Sequence, residues 1–152
     1  YRIGYPVHFH RYSDDRREPF CKHFDLCGGC TRQMLPYDIQ LKYKEQQIKD
    51  QLERIGHLEL PETKPILPSP REKFYRNKLE FTFTDRRWLL REETESKQDI
   101  SNFNGLGFHI PGRFDKVLDI EKCYLQPDPS NAVRNAVKRF ALEHDYKFNF
   151  LR

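Results

Sequence analysis

Apolar residues along the chain follow two rhythms, and the change between them marks its regions. In "PYDIQLKYKEQQIKDQLERIG" (36 to 56) Leu41, Ile48, Leu52 and Ile55 recur at helical spacing, with Gly56 standing where a helix commonly stops. The spacing predicts a helix there. From about Asn77 the period becomes two. In "NKLEFTFT" Leu79, Phe81 and Phe83 alternate with Lys78, Glu80 and Thr82, as a half-buried strand requires. "RWLL", "GLGFHI" and "KVLDI" continue in that style, parted by a charged loop, "REETESKQDISNFN", and by the turn-forming "PGRFD". Short strands with hairpin-length links predict an antiparallel sheet. Helical spacing then returns: Ser130 reads as the cap of "NAVRNAVKRFALEHD", whose Val133, Val137, Phe140 and Ala141 share one face, and "YKFNFL" closes in alternation. The expected class is α+β, an antiparallel sheet flanked by two main helices, with a cysteine-rich loop near the N-terminus.

The remaining stretches act as punctuation. "YRIGYPVHFHRY" reads as an extended end followed by the charged turn "SDDRRE", so residues 1–20 are expected to be a linker or the last strand of something preceding, and 21–152 a domain. The Pro-rich "LPETKPILPSP" predicts an extended connector. A start at Tyr1 and a close on an aromatic run suggest a piece of a longer protein.

Composition narrows the class. Of 152 residues 33% are charged and 37% hydrophobic, yet 14% are aromatic, which concentrates apolar content in a few segments and reads as globular. A formal charge of +4 permits a polyanionic partner without demanding one. No apolar signal segment opens the chain and no run approaches the roughly 18 apolar residues of a membrane span, so a cytoplasmic protein is expected.

Three of the four cysteines fall within "CKHFDLCGGC", at Cys21, Cys27 and Cys30, and the fourth, Cys123, stands alone downstream. Disulfides, a zinc site and an iron-sulfur cluster compete for that pattern. Disulfides are disfavoured in a reducing compartment. Four-cysteine zinc sites usually bring two close pairs. A 3+1 distribution better suits a cubane, each of whose corner irons takes one thiolate. Gly28 and Gly29 let the backbone turn sharply between Cys27 and Cys30, and an ordinary tight turn would use them equally. His23 reads as a packing or hydrogen-bonding residue rather than a ligand, and His8, His10, His57, His109 and His144 show no metal-site spacing.

"CKHFDLCGGCTRQ", then "PYDIQLKYKEQQIKDQLERIG", "FYRNKLEFTF" and "GLGFHIPGRFDKVLDIEKCYLQ", in that order, resemble the RNA 5-methyluridine (uracil-C5) methyltransferase family from Cys21 onward. In its cluster-bearing branch the C-x5-C-G-G-C triplet and a later cysteine hold a 4Fe-4S centre. The resemblance therefore implies Cys21, Cys27, Cys30 and Cys123 as ligands, with Gln33 fitting the pattern. Thr31 and Arg32 stand where many members carry larger residues, which bears on packing beside the cluster and not on ligation. Members begin with an OB-like TRAM barrel, so residues 1–20 are expected to be its trailing end or a linker. They end with a Rossmann-like domain that binds S-adenosylmethionine and supplies the catalytic cysteine, a thiolate that adds at uracil C6 so that C5 can take the methyl group. Neither unit is expected within the chain. Gly105 and Gly107 lie in a strand-like run that opens no helix, unlike a nucleotide-binding turn. With all four cysteines spoken for, no catalytic or donor-binding residue is expected here. The chain is read as the central iron-sulfur and RNA-recognition region, with RNA, rRNA ahead of tRNA, as partner and the methyltransferase domain supplied in cis. The competing reading is a stand-alone zinc-binding RNA-interaction module without activity.

For RNA contact, "REKFYRNKLEF" sets Arg71, Lys73, Arg76 and Lys78 beside Phe74 and Tyr75, offering phosphate contacts next to stacking surfaces. Arg113 and Lys116 join them from the expected hairpin tip. An ordinary solvated strand face would look the same. Lys42, Lys44 and Lys49 alternate with Glu45, Asp50 and Glu53, which predicts surface pairing on the helix. Phe81, Phe83 and Trp88 are expected in the core.

Overall fold

A computed structural model of the chain describes Gly4, residues 6–96 and residues 99–148. Its elements run α1 (Tyr37–Asp50), a π-helical turn (Gln51–Ile55), β1 (Thr82–Thr84), α2 (Arg91–Glu95), β2 (Gly105–Ile110), β3 (Arg113–Asp119) and α3 (Asp128–Glu143). The strands form one antiparallel sheet in the order β1-β2-β3, so the class is α+β. The chain forms two compact units. One comprises 1–20 and 32–69, and the other 21–31 and 70–152. Among the described residues no helix is long and apolar enough to cross a membrane.

In the first unit α1 forms where the periodicity predicts it, yet none of its residues is buried. Ile48, Leu52 and Ile55, three of the four positions that define its apolar face, are exposed. Surface hydrogen bonds and ion pairs hold it instead, two of them from far along the chain: the Tyr43 hydroxyl donates to the Asp15 carboxylate at 3.2 Å, and the Tyr37 hydroxyl accepts the Ser69 N–H at 2.7 Å. The Gln40 side-chain amide donates to the carbonyls of Arg32 and Leu35 ahead of the first turn, at 3.0 and 2.9 Å. Lys49 pairs with Glu45 at 2.7 Å, and Arg54 with Asp50 at 3.4 Å. Gly56 ends the π-helical turn in the right-handed region, and His57 follows in the left-handed region at φ +51°. Residues 58–69 carry no regular structure, as their prolines require, and the described part of 4–20 contains no strand.

In the second unit β2 and β3 form a hairpin closed by Pro111 and Gly112, the latter at φ +74°, in the residue order a type II turn favours. Leu118, Ile120, Cys123 and Leu125 make the buried core, against which Leu79, Phe81, Trp88, Leu90, Phe108 and Ile110 pack. The expected core positions Phe81 and Trp88 are thus in place, and half-buried Phe83 stacks on Phe148 with ring centroids 4.4 Å apart.

Five local expectations are corrected here. The strand expected over "NKLEFTFT" is reduced to Thr82–Thr84, because the preceding backbone turns to another partner: Phe74 and Arg76 N–H donate to the Tyr124 and Leu125 carbonyls at 2.8 and 2.9 Å. "RWLL" is no strand. Arg87 makes a single parallel bridge to Val117, and Leu90 then passes its N–H to the Glu93 carboxylate at 2.9 Å, which starts α2 inside the expected charged loop. Ser130 does not cap α3, which begins two residues earlier behind Pro127, with Pro129 in its first turn. Of the face expected to be buried, only Ala141 is, whereas Val133, Val137 and Phe140 are 63%, 48% and 53% exposed. The face turned inward carries Asn131 and Arg134. The closing "YKFNFL" is not a strand over its described residues 146–148, and the rest of it lies outside them.

Candidate four-cysteine centre and basic surface

Residues 21–31 form a run of turns with little backbone hydrogen bonding of their own beyond Phe24 N–H to Cys21 and Cys27 N–H to His23. What fixes the run comes from far along the chain. Lys22 pairs with Glu121. The buried His23 ring accepts the Glu121 N–H through Nε2 at 3.2 Å, and burial lowers its pKa, which keeps the imidazole neutral and able to accept. Gly28 lies flat on the hairpin: a Cβ there would come within 2.8 Å of the His109 carbonyl oxygen, so no larger residue fits without movement. The expectation that His23 hydrogen-bonds therefore meets a specific partner, two residues before Cys123.

Cys123 is buried in the core, and Cys27 and Cys30 pack against the same cluster. Gly29 N–H donates to the Cys27 sulfur at 3.3 Å. Burial pushes the Cys27 thiol up to about 11, helped by the neighbouring Cys30, Cys123 and Cys21, and the Cys123 thiol rises for the same reasons. The four cysteines thus lie within electrostatic reach of one another although the fourth follows the third by 93 positions. Among the described residues no three His, Cys, Asp or Glu side chains converge tightly enough to hold a single metal ion.

Cys123 is fixed from α3. Asn131 accepts the Cys123 N–H at 2.8 Å and donates back to the Cys123 carbonyl at 3.0 Å, satisfying both buried backbone groups with one amide. Arg134, three residues on, donates to Asn131 Oδ1 at 2.9 Å and to the Glu121 carbonyl at 2.6 Å, and lies over the Phe81 ring at 4.8 Å. Neither residue stood out in the sequence. The available signal was two polar residues at i, i+3 on a helix whose apolar stripe drew the attention.

The six basic positions scatter over two places. Arg71, Lys73, Arg76 and Lys78 follow the irregular segment before β1, where Lys73 sits 5.4 Å from the Tyr124 ring centre, Arg76 is exposed and Lys78 pairs with Glu80 at 2.9 Å. Tyr75 is exposed beside them, while Phe74 is half-buried at φ +58° and tilted against Tyr124. Arg113 opens β3 in solvent, one residue from the largely exposed Phe114. Lys116 is half-buried and lines an open hollow with Lys22, Leu26, Arg87, Trp88 and Phe103. Gly105 and Gly107 both lie in β2, as a strand and not as a nucleotide-binding turn.

No protein-family model matches the chain. It is 56% identical over 96% of its length to an uncharacterized RNA methyltransferase of Bacteroides thetaiotaomicron, covering 32% of that protein. Proteins of the same description from Porphyromonas gingivalis and Chlorobaculum tepidum are 47% and 44% identical over 89% and 86% of the chain, covering 30% and 27% of theirs. The chain spans about a third of the length of these curated relatives.

Proposed function

We infer a role from the premise that the chain belongs, as a segment about a third of their length, with a family of RNA methyltransferases. It is the central iron-sulfur and RNA-recognition region of an S-adenosylmethionine-dependent RNA uracil-C5 methyltransferase acting on rRNA. Residues 1–20 are the trailing end of an OB-like domain or its linker, and the donor-binding and catalytic domain lies elsewhere in the whole protein. The chain alone has no methyltransferase activity.

The observation that supports the centre is the gathering of Cys27 and Cys30 against the core that contains Cys123. The donor set suits it: four sulfurs and no carboxylate favour a zinc ion or an iron-sulfur cluster, and the Gly29 N–H directed at the Cys27 sulfur is the hydrogen bond such thiolates receive. Cys21, Cys27, Cys30 and Cys123 would hold the 4Fe-4S cluster, which when bound cross-links the early loop to the segment after β3. The chain's own part is to present a fixed surface. Arg71, Lys73, Arg76 and Lys78 take phosphates beside Tyr75, and Arg113 and Lys116 add contacts from β3. Lys78 is free to trade partners, since an exposed ion pair such as Lys78–Glu80 holds it by less than about 1 kcal/mol.

Anaerobic purification with iron, sulfide and zinc analysis tests the centre. Brown protein with iron and sulfide is the expected result, and colourless protein with stoichiometric zinc overturns it in favour of a zinc-binding RNA module. For the surface, Arg76→Glu with Lys78→Glu weakens RNA binding and flattens its salt dependence by about 0.7 in log-log slope per lost single-strand phosphate contact. An unchanged slope removes these two residues from the interface.

A further inference from the structure

Arg134 is a buried cation that lacks the partner such a group requires. It is 6% exposed, and its Nε has no hydrogen-bond partner among the described residues. Its other nitrogens reach Asn131 Oδ1, Asn135 Oδ1 and the Glu121 carbonyl, all neutral acceptors. The nearby carboxylate Asp119 is already taken by Lys138 and by the Leu106 N–H at 3.0 Å. The His23 ring accepts the Glu121 N–H at 3.2 Å and so supplies no counter-charge. The same Asn131 Oδ1 that takes an Arg134 nitrogen at 2.9 Å accepts the Cys123 N–H at 2.8 Å, so one amide joins the guanidinium to the Cys123 backbone. An isolated buried charge costs several kcal/mol, so it persists where a counter-charge arrives in the working state.

The four cysteines supply that charge only once they are ionised by a centre. Four thiolates carry more negative charge than a zinc ion or a cubane core neutralises. We propose that Arg134 is the counter-charge of the four-cysteine centre, a positioning residue that offsets its net negative charge from α3 while Asn131 fixes the Cys123 backbone. The inference rests on the reading of the four cysteines as ligands of one centre. It predicts opposite effects of one substitution: loss of the cation relieves the metal-free protein and weakens the loaded one.

The test reconstitutes wild type, Arg134→Lys and Arg134→Met with iron and sulfide without oxygen, and separately with zinc. Arg134→Met loses its centre to a chelator about tenfold faster than wild type. Its cluster reduces at a more negative potential, since the removed cation had favoured the added electron. In the metal-free state the same variant melts no lower than wild type, because the uncompensated charge is gone. Arg134→Lys, which keeps the charge, stays close to wild type in chelator resistance and potential. Should Arg134→Met not fold, Arg134→Gln serves the same comparison. Unchanged chelator loss and potential in the uncharged variant overturn the proposal, as does an equal loss of stability with and without the centre. If wild type takes up zinc and no iron, the cluster reading fails by itself, and chelator loss from the zinc-loaded forms then decides the role of Arg134.

Discussion

The two long helices, α1 and α3, are both read from spacing, yet they are held in opposite ways. Helix α1 buries none of its fourteen residues and rests on surface pairs, most of them a few positions away and two, Tyr43 with Asp15 and Tyr37 with Ser69, from farther along the chain. Helix α3 leaves Val133, Val137 and Phe140 of its apolar stripe exposed, buries Ala141, and turns Asn131 and Arg134 onto groups 8 and 13 residues back in sequence. An apolar stripe signals a helix in both cases. It does not say which face is covered, because an amide able to satisfy two buried backbone groups at once competes well with the burial of a valine.

The contrast is broken most sharply at Asn131. Asn131→Ala leaves the Cys123 N–H and carbonyl without partners and takes an acceptor from Arg134, so about 3 kcal/mol of stability is expected to be lost in urea denaturation. A loss below about 1 kcal/mol would place α3 with α1 as a helix that no buried contact fixes. Gly28→Ala comes next. Its new methyl meets the His109 carbonyl, and about 2 kcal/mol is expected, together with faster proteolysis of the cysteine loop.

Helix α2 falls between the extremes. Arg87 grips Glu93 through two nitrogens at 2.9 and 2.6 Å, which with the Leu90 N–H holds the Glu93 carboxyl down at about 2 from its ordinary 4.5. A depressed acid pKa stabilises the fold above pH 4.5, and that contribution is lost as the pH falls towards 2. With both side chains partly in water the pair contributes about 1 kcal/mol. Glu93→Gln should therefore cost about that much at pH 7, with the difference from wild type shrinking as acid is added. A pH-independent difference would assign the cost to packing. The smallest effect belongs to α1: Ile48→Ala, at a side chain 56% exposed, stays within about 0.5 kcal/mol of wild type. A larger loss would mean that the whole protein covers this face.

Legibility followed distance along the chain. The hairpin was evident in "GLGFHIPGRFDKVLDI", since alternation and a Pro-Gly turn are local features, and β2 and β3 form from those residues. The missed "RWLL" strand is an exception to that rule, since its cause is local: Glu93, three residues on, reaches back to Leu90 and turns the chain into α2. Alternation could not reveal that Phe74 and Arg76 would spend their backbone N–H groups on the segment after Cys123. The cysteine triplet announced itself by spacing, whereas the residues that set it in place, His23 with Glu121, Gly28 with His109, and Asn131 with Cys123, are pairs whose members carry no mark of each other in the linear order.

Periodicity and short-range chemistry were enough to specify the α+β class, helix α1, the β2–β3 hairpin and the grouping of thiols in one loop, because each depends on neighbours within a few residues. Folding alone settled which side of α3 faces inward, how Cys123 joins the other cysteines, and where a buried cation comes to rest. Those outcomes depend on desolvating polar groups against partners far off in the chain, and the energy of such contacts exists only once both ends have been brought together.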